Sequence, residues 1–208
     1  MEELTDNQLK LFRDYLKTFI TFTNEEWKIF CEQLYGKSLK KKEFFAEHGK
    51  TCNEVGFITQ GSVRYFMVKD GEEVTGYFSL ENDMISAYKS FLTGAPATNY
   101  IEALENTFLI VFSKKGLQKL LEDERINLRI ERFGRLVAEY YLICYDDRVT
   151  SFVTQTPEER YLQLLKDNRH VIKRIPQHYI ANFLGITPVS LSRIRKRIMG
   201  ASEKKISI

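Results

Sequence analysis

Cysteine and histidine are scarce in this 208-residue sequence, and their placement excludes several classes of chemistry. Cys31, Cys52 and Cys144 lie far apart and match neither a metal-binding nor a redox spacing, so they read as reduced thiols of a cytoplasmic protein. His48, His170 and His178 are equally scattered, which argues against a histidine-rich metal centre. No run of 18 uncharged apolar residues occurs, so no membrane-spanning helix is expected. The N-terminus opens with acidic residues and lacks an apolar core segment, so no secretory signal is expected either. Internal repeats and low-complexity segments are missing. With 43% hydrophobic and 28% charged residues, the composition is that of a folded chain, one large domain or two small ones.

The net charge of +3 conceals an asymmetry. Residues 157–208 carry eleven Lys and Arg against four Asp and Glu, a net of +7. Residues 1–156 carry 20 basic and 24 acidic residues, a net of −4. A basic C-terminal module joined to a mildly acidic body points toward nucleic acid or another anionic surface.

From Thr5 to about Leu39 the apolar spacing predicts helix. Leu9, Phe12, Leu16 and Phe19 form one segment with Asp6 as its N-cap. Trp27, Phe30, Leu34 and Tyr35 form a second, opened by a Thr23–Glu26 capping box. Between Phe44 and Phe112 the texture changes. Short runs rich in aromatic and β-branched residues (44–45, 55–59, 62–68, 74–78 and 108–112) alternate with turn signals, among them Asp70-Gly71. This predicts a small all-β unit. Residues 114–151 read as one long helix, in which Ile126, Ile130, Phe133, Val137, Tyr140 and Cys144 alternate three- and four-residue spacings. That stripe suits a partner helix or the chain's own β-unit, and its length favours the partner. Thr156, Pro157 and Glu159 then start a further helix that ends at Asp167-Asn168.

The sharpest signal spans residues 175–198. Gln177–Leu184 reads as a short helix, and Gly185 supplies the left-handed turn that glycine adopts without strain. Thr187 caps a second helix with Pro188 at its first position, and the small Ala181 allows a close crossing. Leu191, Ile194 and Ile198 fall on one face of that helix. Val189, Arg193 and Lys196 fall on the opposite face, flanked by Ser190, Ser192 and Arg197. An apolar inner face and a basic outer face are what a helix-turn-helix needs in order to read a major groove.

A β-unit, a long helix and a helix-turn-helix in that order resemble the catabolite-activator and fumarate–nitrate-regulator (Crp/Fnr) superfamily of bacterial transcription factors. Residues 57–64 are similar to that family's strand–Gly–strand signature, and residues 82–86 to the entry into its phosphate-binding cassette. The resemblance implies an α+β fold. Its parts are a cyclic-nucleotide-binding-type β-roll with N-terminal helices (1–112), a long connecting dimerisation helix (113–151) and a helix-turn-helix DNA-binding domain (152–208), winged-helix-like with a reduced wing. Residues 201–208 leave room for one short wing strand rather than two.

Departures from the family pattern carry as much meaning. Nucleotide-binding members place Gly-Glu and Arg-Ser/Thr where this chain has Ser86-Ala87 and Ala97-Thr98. Without the arginine, a buried cyclic phosphate loses the charge-assisted hydrogen bonds that offset its desolvation. The positions that face the base correspond to Ile143 and Cys144, and Arg64 or Lys89 is the alternative cation. The cysteine cluster of iron–sulfur members is missing, as are haem ligands near the hairpin.

The expected protein is therefore a cytoplasmic homodimeric regulator without catalytic residues, metal or cofactor. Its DNA-reading residues are Thr187, Pro188, Val189, Ser190, Ser192, Arg193, Lys196 and Arg197, and its seam residues are Phe133, Val137, Tyr140 and Cys144. The expected partners are double-stranded DNA, a second copy of the chain, RNA polymerase and an unidentified small-molecule effector, with no membrane. Competing expectations are a cAMP- or cGMP-responsive regulator with a divergent pocket, an interaction module that no longer binds DNA, and a cupin-like enzyme.

Overall fold

The computed structural model describes residues 2–206, with side chains through Ile198. The chain divides into two compact units, Met1–Ile143 and Cys144–Ile208. No helix among the described residues is long and apolar enough to cross a membrane.

In the first unit, helices α1 (Asp6–Leu16) and α2 (Asn24–Cys31) precede strands β1 (Leu34–Leu39), β2 (Phe44–Ala46), β3 (Glu54–Gln60), β4 (Val63–Lys69), β5 (Glu72–Ser79) and β6 (Met84–Ile85). Helix α3 (Tyr88–Thr93), strands β7 (Tyr100–Ala103) and β8 (Thr107–Ser113), and helix α4 (Lys114–Glu122) follow, and then α5 (Asn127–Thr154), whose residues from Cys144 on belong to the second unit. The strands form two four-stranded antiparallel sheets, ordered β1-β8-β3-β6 and β2-β7-β4-β5. Asp70 and Gly71, at φ 54° and 82°, make the two-residue turn between β4 and β5 and set Lys69 opposite Glu72.

Two apolar cores result. One lies within the β-roll and contains Ile58, Val63, Ile85, Ile101, Leu109 and Val111. The other packs α1, α2 and the first half of α5 on Phe57, Ile110 and Phe112. Phe12 at its centre is fully buried, with its ring 4.8 Å from Phe57. Burying such a side chain contributes roughly 1.5–3 kcal/mol. Gly61 sits at φ +103°, and a Cβ there would come within 2.6 Å of the Thr107 Cα, so only glycine fits this corner.

Several sequence expectations change. Thr5, not Asp6, caps α1, and its capping-box partner is Gln8. Leu34 and Tyr35 belong to a strand rather than to the end of a helix. Their spacing mimics a helical face, but Leu34–Leu39 pairs along its whole length with β8. The long helical segment breaks between Glu122 and Asn127, where Asp123 takes extended backbone angles and its carboxylate accepts from the Arg125 N–H.

In the second unit, α6 (Pro157–Asp167), α7 (Arg169–Arg174), α8 (Gln177–Phe183) and α9 (Pro188–Ile206) follow the end of α5. Thr156 caps α6 and Pro157 opens it as expected, and the Glu159 side chain closes a capping box with Thr156. Helix α9 continues through Ile206, so residues 201–206 are helical where a wing strand was expected; Ser207 and Ile208 lie outside the described residues.

Candidate nucleic-acid interface

The C-terminal motif is built by local chemistry. Helix α8 ends at Phe183, and Gly185 turns the chain at φ +73°. The Thr187 hydroxyl then accepts the Ser190 N–H at 3.2 Å to cap α9. Ile180, Ala181, Leu184 and Leu191 are at most 1% exposed, and Ile194 is also buried, so the inner faces of the two helices are closed. Val189 is 61% exposed, and Thr187, Pro188, Ser192, Arg193, Lys196 and Arg197 are exposed beside it, with Ser190 half-buried. The motif thus gathers the residues singled out from sequence onto one outward surface. Arg195 is excluded from it, because its guanidinium donates to the Gln177 side chain at 2.8 Å. The Arg197 guanidinium is paired with the Glu158 carboxylate on α6.

Two arginines that sequence reasoning missed lie behind the turn. Arg148 donates to the Phe183 carbonyl at 3.1 Å and lies 3.6 Å over the Phe183 ring. Arg160 donates to the carbonyls of Gln155 at 2.6 Å and Leu184 at 2.9 Å. Both guanidiniums stack on Phe152, at 4.6 Å and 4.5 Å from its centroid. They line a cleft of about 520 Å³ within this unit, together with Cys144, Asp147, Gln163 and Asp167. No periodicity marks these arginines in the sequence, since their partners are backbone carbonyls.

In the β-roll, the cassette positions take apolar or neutral roles. Ala87 and Ala97 are each 4% exposed and belong to the inner core with Cys52, Ile58 and Ile85. The Ser86 hydroxyl donates to the Glu54 carbonyl at 2.9 Å. Lys89 and Thr98 are exposed. Arg64 is not a cation for this interior, which corrects the sequence expectation. Strand alternation turns its neighbour Val63 into the core and Arg64 to the opposite face of the sheet. There its guanidinium, 1% exposed, binds Glu73 at 2.7 Å and Glu102 at 2.8 Å and covers the Phe66 ring at 4.1 Å.

The dimer seam is corrected as well. Phe133 and Val137 are buried in the first unit's own core, and the Phe133 ring makes edge contacts with Phe19, Phe22 and Phe30. Tyr140 packs edge-on against Phe19 while remaining 48% exposed, and Cys144 is half-buried. Tyr141 donates to the Met84 carbonyl at 2.9 Å, and burial pushes its phenol far above the ordinary tyrosine range. Apart from Tyr140, the exposed apolar residues of α5 are others, among them Leu128 at 77%, Leu142 at 68%, Ile143 at 62%, Tyr145 at 70% and Val153 at 80%.

These features define a β-roll of the cyclic-nucleotide-binding type followed by a long helix and a helix-turn-helix. Residues 36–124 match the family model described as cyclic nucleotide-binding domain. Comparison with curated proteins gave no match. Among solved structures, the chain is similar to FixK2 from Bradyrhizobium japonicum, at 20% identity and a TM-score of 0.67 over 81% of this chain and 86% of that one. It is also similar to the c-di-GMP responsive global regulator CLP of Xanthomonas campestris, at 13% identity and a TM-score of 0.67, over 86% and 93% of the two chains. The catabolite activator protein of Thermus thermophilus aligns at 15% identity and a TM-score of 0.54, over 90% and 88%. The fold of this chain is the one these three structures share.

Proposed function

We propose that this protein is a cytoplasmic, DNA-binding transcriptional regulator that acts as a homodimer on a pseudo-palindromic operator. The observation that carries this reading is the outward surface of α9. Val189, Arg193 and Lys196 stand exposed opposite the buried Leu191 and Ile194, on a helix seated by a glycine turn and a threonine cap. Arg193 suits a bidentate contact to guanine O6 and N7, and Val189 a thymine methyl. Lys196 and Arg197 lie where phosphates would flank such a contact.

Dimerisation draws support from Ala138, Leu142, Tyr145 and Val149 of α5, which recur at alternating spacings of four and three. The first unit's core takes Ile130, Phe133 and Val137 instead, and Leu142, Tyr145 and Val149 stay exposed. The β-roll acts as a scaffold or senses a ligand other than cAMP or cGMP. Ala87 offers no acceptor for a ribose hydroxyl and Ala97 no cation for a phosphate.

Selection of bound sites from random duplex DNA with the purified protein tests this reading. Enrichment of a two-fold symmetric motif, with half-sites about one helical turn apart, is the expected result. Recovery of no motif would favour a protein-interaction module. Calorimetric titration with cAMP and cGMP is expected to be flat, and micromolar binding would revive a cyclic-nucleotide-responsive regulator.

A further inference from the structure

We propose that Arg148 and Arg160 are positioning residues that lock the turn of the helix-turn-helix and thereby aim α9. This rests on the DNA-binding reading above and adds to it the device that fixes the reading helix. The last carbonyls of any helix lack intrahelical partners, and α8 is only seven residues long. Its Ala181 and Asn182 carbonyls are taken by the N–H groups of Ile186 and Gly185, at 3.0 Å and 2.9 Å. The next two, Phe183 and Leu184, are the ones the arginines take. Pro188, four residues beyond Leu184, has no N–H to give.

The two guanidiniums therefore close the C-terminal end of α8, where the helix dipole favours a cation. Their planes are fixed on Phe152, whose Cε1 atom lies 3.6 Å from the site a Cβ on Gly185 would fill. Arg160 does one thing more. It bridges the Leu184 carbonyl to that of Gln155, the residue before the cap of α6, so the turn is tied to the start of that helix. Among the described residues no carboxylate pairs with Arg160, and its Nε is buried without a hydrogen-bond partner. The charge is spent on carbonyls. A lysine has its three N–H donors on one nitrogen, so it lacks both the two-nitrogen fork that reaches the two carbonyls and the plane that lies on the ring.

The test combines Arg160→Met, Arg160→Lys and Arg148→Met in the full chain. Hydrogen exchange of the Gly185 and Ile186 amides is read alongside DNA binding at several salt concentrations. The clamp requires that Arg160→Met keep its helical circular dichroism while those two amides lose about tenfold or more in protection, with β-roll amides unchanged. Preference for the selected operator over random DNA is expected to fall about tenfold, with no change in the slope of log affinity against log salt. Arg160→Lys is expected to fail to rescue either effect, and Arg148→Met to show both in milder form. Should Arg160→Met lose its helical signal, the lysine variant carries the same measurement.

Unchanged amide protection would overturn the proposal, as would full rescue by lysine. So would a salt slope reduced by about one, which marks a direct phosphate contact. If the wild-type protein bound no DNA at all, the functional reading would fall, and the exchange measurement would still decide whether the clamp exists.

Discussion

Replacing Leu142 and Val137 separately by glutamate distinguishes the two faces of α5. Val137 is 9% exposed and lies among Phe133, Ile130 and the N-terminal helices. Its loss removes most of the roughly 1.5–3 kcal/mol that a buried aliphatic side chain contributes. The carboxylate that replaces it faces no cation in that core, at a further cost of several kcal/mol. Against a total stability of about 5–15 kcal/mol, Val137→Glu is expected to unfold much of the first unit. Leu142 is different. At 68% exposure it has about two thirds of its surface left to bury, worth about 1–2 kcal/mol per copy and about 2–4 kcal/mol for the pair across a seam. Leu142→Glu should therefore leave the melting temperature of the monomer nearly unchanged and weaken the dimer by about 30- to 1000-fold. Sedimentation velocity over a concentration series, with thermal unfolding of the same samples, reads both quantities. An undiminished dimer for Leu142→Glu would refute the seam. A stably folded monomer for Val137→Glu would show that the buried stripe, not the exposed one, meets the partner.

Three further outcomes are expected. Arg193→Ala should cost about 1–3 kcal/mol on the selected operator and relax preference at one base pair per half-site, read by competition against single-base operator variants; a uniform loss across the library would mean that it contacts phosphate. Gly61→Ala should destabilise the β-roll by about 2–5 kcal/mol in urea unfolding, because it adds a positive-φ penalty to a clash with Thr107. Burial pushes the Glu26 carboxyl up, but hydrogen bonds from Thr23 and the Arg129 guanidinium outweigh it and hold the pKa below the ordinary value. The stability this gives is present above the unfolded-state pKa of about 4.3 and is lost as pH falls through the lower folded value. Glu26→Gln should accordingly lower the melting temperature at pH 7, and the gap should close toward pH 3.

What could be read from the sequence follows a physical division. The helix-turn-helix was legible because Gly185, Thr187 and Pro188 act within four residues of one another, through turn geometry, a cap and a missing N–H. The capping box at Thr23 and the cap at Thr156 are local in the same way. Leu34–Leu39 was misread because what makes it a strand is its pairing with β8, far along the chain. The stripe through Phe133 and Val137 was correctly seen as apolar, but periodicity states only that a face is buried, not against what. Arg64 shows the limit most plainly. Its partner Glu102 is 38 residues away, and only sheet register brings the two charges together.

The pairing of Arg197 with Glu158 bears on the ionic-strength response of DNA binding. A solvated lysine such as Lys196 that moves onto a phosphate releases a condensed cation from the duplex, and the entropy of that release weakens as salt is added. Arg197 starts from an internal counterion. Its transfer to a phosphate also strands the Glu158 carboxylate beside a polyanion, which then recruits a cation of its own. The release from the duplex is cancelled by the uptake on the protein. In the DNA complex proposed above, two adjacent basic residues on the same helix would thus differ in kind: one would make affinity fall with salt, and the other would exchange partners with almost no net traffic of ions.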